Sequence, residues 1–161
     1  MYNFITAFVI ASFTLGTAIF YILSCVERSV LGLVFKGSKT KVLEENVRFT
    51  HASLKRLSPL LPPSNGFVIL FGNIAMIIQG FLRSWDILSI LILVVYWVLM
   101  LYIIIFKKIA EDVKNIKETP NDASIHKVTE NVRRLIVQHH LGLAANLAVV
   151  VIEFVIIIVG Q

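Results

Sequence analysis

The chain has 161 residues, of which 57% are hydrophobic and only 16% charged, with a formal net charge of +5. Soluble domains sit near ~45–50% apolar and about 25% charged, and here the excess is gathered into long charge-free runs, so a membrane class is implied and an ordinary globular core excluded. The one cysteine, Cys25, excludes an intramolecular disulfide, and the basic residues flank apolar runs instead of forming one continuous surface, which excludes nucleic acid as a partner.

The first apolar run, FITAFVIASFTLGTAIFYILSCV, covers 4–26 and continues as a helix to about residue 30. No Lys or Arg precedes it, and it is longer than the apolar region of a signal peptide, so a retained span is expected. Residues 41–58 predict a connector helix. Leu43, Val47, Thr50, Leu54 and Leu57 recur at steps of four and three, while Glu44, Glu45, Arg48, His51 and Lys55 fill the other side, which puts His51 in solvent. The prolines of SPLLPPSNG (Pro59, Pro62, Pro63) are expected to break the helix ahead of a second span over about 66–83.

Trp85, with Arg83 and Asp86, reads as an interfacial anchor in the short turn that follows. The third span, ILSILILVVYWVLMLYIIIF, covers 87–106 and carries Tyr96, Trp97 and Tyr102 as packing or interfacial aromatics. A second connector, 107–137, has a turn at Thr119-Pro120-Asn121-Asp122. The apolar stripe Ile125, Val128, Val132, Leu135 and Ile136 follows, so spans three and four are expected to run on as a helical hairpin. The fourth span covers 138–160 and ends at Gly160.

These elements predict an all-α fold, an integral membrane four-helix bundle with helical extensions, as one domain over the whole chain. The two connectors hold Lys36, Lys39, Lys41, Arg48, Lys55, Arg56, Lys107, Lys108, Lys114, Lys117, Lys127, Arg133 and Arg134, leaving only Arg28 and Arg83 elsewhere. The positive-inside rule then puts both connectors in the cytoplasm and both termini outside, N-out/C-out, in a multi-pass protein of the cell membrane. The anionic lipids of the cytoplasmic leaflet are the expected partner of the basic connectors.

The fourth span keeps polar groups that hydrocarbon penalises. His139, Asn146 and Glu153 recur at a spacing of seven, and seven steps of about 100° return to nearly the same helix face. Gly142 lies in that stripe and permits a close helix approach, whereas His140 points about 100° away. Glu153 falls about 20 Å along the helix from His139 at ~1.5 Å per residue. On span one, Glu27, Ser24, Thr17 and Gly16 share a face with Arg28 off it, and Glu27 and Arg28 stand near the depth of His139 and His140. In span two, Asn73 and Gln79 match Asn146 and Glu153 in depth, but they diverge around their helix so that only one can face span four.

Three readings of these groups stay open. They satisfy one another and specify helix packing; or His139, His140 or His51 holds a haem or metal; or Glu153 and the histidines form a proton path. No phosphate loop, nucleophile elbow, CxxC pair or HExxH motif is present.

At YILSCVERSV (Tyr21 to Val30) and VRRLIVQHHLGLAAN (Val132 to Asn146) the chain resembles the anthrone-oxygenase-like family of small four-helix membrane proteins. The resemblance rests on an aromatic residue and a glutamate late in helix one, and on an Arg/His-containing segment opening helix four. It implies an oxygenase with Glu27 and His139 or His140 in the site. The proline that often follows the glutamate is absent here, and FKKIAEDV replaces the segment expected after span three.

The first functional reading is a non-catalytic accessory or assembly subunit, partnered by other membrane proteins or by further copies of itself. The alternative is a membrane redox or oxygenase-like protein using Glu27, His139, His140 and Arg28 with haem, a metal or a quinone. The third is a proton-coupled carrier centred on Glu153.

Overall fold

The computed structural model describes residues 2–34 and 42–159; Lys36, Lys39 and Lys41 of the first connector and Gly160 lie outside the described residues. The described chain is helical, with no strand. Helix α1 (Tyr2–Glu27) runs into a 3-10 segment, Arg28–Leu33, and α2 (Glu44–Leu57) forms the first connector. Helix α3 (Leu61–Phe67) continues through a π turn, Val68–Gly72, into α4 (Asn73–Leu82). Helix α5 (Ile87–Leu101) ends in a second π turn, Tyr102–Phe106, and is followed by α6 (Ile109–Glu118) and α7 (Ile125–Val159).

Four of these runs, Phe4–Leu33, Pro63–Leu82, Ile87–Phe106 and Ile125–Ile158, are long and apolar enough to cross a membrane. That is the signature of a membrane protein, because a helix satisfies its own backbone where no water can. Large apolar side chains on their outer faces stay exposed, among them Ile87, Val94, Val98, Phe154 and Ile158, as a lipid-facing surface requires.

Helix α7 is the centre of the packing, lying against α1 most extensively and also against α5, α6 and α2. One apolar cluster, including Val9, Phe13, Met76, Ile92, Tyr96, Val149 and Ile156, joins α1, α4, α5 and α7. A second, including Phe20, Leu23, Leu54, Ile116, Val132 and Ile136, ties α1 and α7 to the connector helices. Lipid tails are as apolar as leucine, so helix association depends on close fit, and glycines provide it here. A Cβ on Gly142 would stand 2.5 Å from the Phe20 ring, and one on Gly72 would stand 2.9 Å from the ring of Phe13.

Three expectations are corrected. The expected break is present at 58–60, around Pro59, but the next helix starts earlier than expected, with Pro62 and Pro63 in the first turn of α3. There a missing N–H leaves no bond unmade, so the helix begins at Leu61 and not near 66. Second, α5 does not run on into the second connector, because Lys108 adopts a left-handed conformation (φ 50°) that ends it. Among the described residues only α7, one helix of 35 residues, is continuous from connector to apolar run. Third, His51 is buried, at 1% exposure. The charged side of α2 is covered by the turn between α6 and α7, because Arg48 and Lys55 donate to the backbone carbonyls of that turn.

Candidate functional site: a buried His–Glu pair under an apolar pocket

Glu27 ends α1 and is fully buried, at 0% exposure. A carboxylate at a helix C-terminus is disfavoured by the helix dipole and by burial, so it needs a donor. His139 of α7 supplies one: its Nδ1–H donates to Glu27 Oε1 at 2.5 Å. The second oxygen, Oε2, is buried with no hydrogen-bond partner among the described residues. The Phe20 ring leans over the imidazole, with centroids 6.2 Å apart, and it can do so because Gly142, a turn along α7, has no side chain in its way.

His139 also lines a cavity of about 380 Å³. Ile19, Phe20 and Leu23 of α1, Leu54 and Ser58 at the end of α2, Leu61, Asn65 and Ile69 beyond it, and Val113 and Ile116 of α6 form the walls. Among the described residues Lys117 is the one lysine or arginine on the lining. The volume lies within the ~300–1,000 Å³ of small-molecule sites, and apolar walls with a few polar groups are their usual make-up. With Nδ1 engaged by Glu27, Nε2 is the nitrogen left to meet a ligand, and the carboxylate fixes the ring's orientation.

The other candidates separate from this pair. His140 turns away, its Nδ1–H donating to Ile136 O of its own helix at 2.8 Å, and Arg28 is exposed at the start of the 3-10 segment. Asn146 bonds Gly142 O at 2.8 Å and packs its Oδ1 over Gly16. Near the far end of the apolar helices, Glu153 (0% exposed) accepts from Gln79 Nε2 at 2.8 Å, and the same nitrogen lies 3.2 Å from Thr6 Oγ1. Asn73 does not reach Glu153; its Nδ2 donates to Ile69 O at 2.5 Å, beside the π turn. The residues at 139, 146 and 153 are all buried, but each has its own partner, and successive ones are about 10 Å apart along α7 at ~1.5 Å per residue.

Several side chains in this region give no signal in the sequence. Gln138 is buried at 1% exposure beside His139, and its Nε2 donates to Lys107 O (2.7 Å) and Asp112 Oδ2 (2.5 Å), holding the break between α5 and α6. Phe20 and Thr6 read as ordinary helix residues until their partners are known. At the turn between α4 and α5, Arg83 pairs with Asp86, whose Oδ1 caps α5 by accepting from Ser89 N at 2.9 Å. The Arg83 hydrogen bond, first among the causes, pulls the Asp86 carboxyl down to about 2.

Among the described residues no three His, Cys, Asp or Glu side chains gather as a metal site would need. Comparison with known proteins gives no match to a family model, a curated protein or a solved structure.

Proposed function

We propose that the chain is a multi-pass four-helix bundle of the cell membrane, with both termini outside and both connectors in the cytoplasm. In this reading it binds a small apolar ring compound of the quinone or quinol class at His139 and exchanges a proton with it. The orientation rests on the thirteen of fifteen basic residues that fall in the connectors. One observation carries the ligand reading: a buried imidazole, oriented by a buried carboxylate, lines an apolar cavity of small-molecule size.

The chemistry follows from the pair. A ring hydroxyl in the pocket would donate to Nε2, and Glu27 would stabilise the imidazolium that forms when the proton moves. A ring carbonyl would accept from the same nitrogen once it is protonated. Glu27 and His139, the members of this pair, are among the positions that carry the resemblance to the anthrone-oxygenase-like family, the other being His140. We favour this reading over the accessory-subunit one because Glu27, Asn146 and Glu153 each make a hydrogen bond within the chain and His139 lines a cavity of small-molecule size.

The test is calorimetric titration of a short-chain 1,4-benzoquinone and its quinol into the protein in lipid nanodiscs, with empty discs as control. The wild type should bind saturably. His139→Phe should weaken binding by about tenfold or more, the equivalent of one hydrogen bond of ~1.4 kcal/mol, and His140→Ala should not. Absence of saturable binding by the wild type, or equal loss in both variants, refutes the assignment.

A further inference from the structure

Two residues of the pocket wall, Leu54 and Ser58, belong to the C-terminal end of α2, and that helix is fastened in an unusual way. Arg48 Nη1 donates to Asn121 O at 2.9 Å and to Ala123 O at 3.1 Å, while Lys55 Nζ donates to Thr119 O at 2.9 Å. All three acceptors are backbone carbonyls of the single turn between α6 and α7. Thr119 caps the C-terminus of α6, so Lys55 also sits on the negative end of that helix's dipole.

His51 lies between these two cations on the same helix face, buried at 1% exposure, with no hydrogen-bond partner for its Nε2 among the described residues. Arg48 and Lys55 are the charged groups acting on the ring, and the Asn121 side chain of the turn hydrogen-bonds it, a smaller effect that favours the protonated form. The parts of α6 and α7 packed in this region contribute apolar side chains, Ile116, Val128 and Val132. No carboxylate among the described residues acts on the imidazole to compensate a positive charge.

We propose that α2 is a proton-released wall of the pocket: protonation of His51 undocks the helix from the 119–123 turn and opens the cavity on its α2 side. A third positive charge between Arg48 and Lys55, desolvated beneath the turn, is relieved most simply by separating the surfaces. Burial first, then Lys55 and Arg48, hold the ring below the ordinary histidine range, so the docked helix is the neutral-imidazole state. The proposal rests on the ligand reading above for its consequence, and on the α2 contacts alone for its motion.

The experiment measures the motion directly. In a Cys25→Ser background, spin labels go at Phe49→Cys on the exposed side of α2 and Lys114→Cys on α6, and electron–electron resonance gives their separation in nanodiscs. Between about pH 8 and about pH 5, either side of the ordinary ~6.5, the distribution should shift to longer distances. His51→Gln should abolish the shift. If that variant does not fold, Lys55→Gln serves instead, moving the transition to higher pH by removing one repelling cation and one bond to the turn. A distribution independent of pH, or a shift that survives in His51→Gln, overturns the proposal. Benzoquinone titrations on the same samples keep the two readings apart. Motion without binding at either pH removes the ligand assignment and leaves the latch standing, and binding without motion removes the latch alone.

Discussion

Removing His139 while leaving Glu27 in place isolates the energetics of the buried pair. Glu27 has 0% exposure, one oxygen held by His139 at 2.5 Å and the other without a partner among the described residues. His139→Leu therefore strands a buried carboxylate, and breaking a buried pair in this way costs about 3–5 kcal/mol. Glu27→Leu strands an imidazole that has lost one hydrogen bond, a smaller penalty of ~1–3 kcal/mol. Replacing both by leucine removes the polar groups together, which is often close to neutral. The double variant should then be more stable than His139→Leu by roughly 3 kcal/mol, so the two single losses are far from additive. Reversible unfolding in mixed micelles by SDS titration, followed by far-ultraviolet circular dichroism, measures all four corners of the cycle. Additive single losses, with the double variant the least stable of the four, would refute the idea that the two side chains act as one buried unit.

Three further outcomes are expected. Asp86→Ala should cost about 0.5–2 kcal/mol, since it removes the cap of α5, and Asp86→Asn should cost less. Because the Asp86 carboxyl is held near about 2 in the folded protein, below its ordinary 3.8, its contribution is fully present above about pH 4. A pH titration of thermal stability should show that contribution lost as pH falls from there toward 2. Gly142→Val should lower stability by about 1–3 kcal/mol through collision with Phe20, whereas Gly66→Ala, which meets nothing within 4 Å, should be neutral or slightly stabilising in the same melting assay. Gln79→Leu should destabilise by ~1–3 kcal/mol because Glu153 loses its donor, and adding Glu153→Leu should recover most of that loss in SDS unfolding.

The division between sequence and tertiary structure follows the range of the forces involved. Apolar run lengths respond to a local property, the transfer of side chains into hydrocarbon, so the four long apolar helices are legible from composition alone. The seven-residue spacing of His139, Asn146 and Glu153 likewise places them on one face of α7, and all three are buried. Helix boundaries were less legible where backbone detail decided them. Pro62 and Pro63 break a helix or begin one depending on which turn they occupy, and Lys108 gives no residue-level warning of its left-handed conformation.

Partner choice belonged to the tertiary structure. Whether Asn73 or Gln79 meets Glu153 depends on how α4 is rotated against α7, and Gln79 is the one that reaches it. His51 reads as solvated because its neighbours are charged; it is buried because Arg48 and Lys55 find carbonyl acceptors some 70 residues away in the 119–123 turn. Periodicity determined which side chains leave the lipid. Docking of α1, α2 and α6 around α7 decided that His139 meets Glu27 under an apolar cavity, since hydrogen bonds between distant segments form only where packing has brought the segments together.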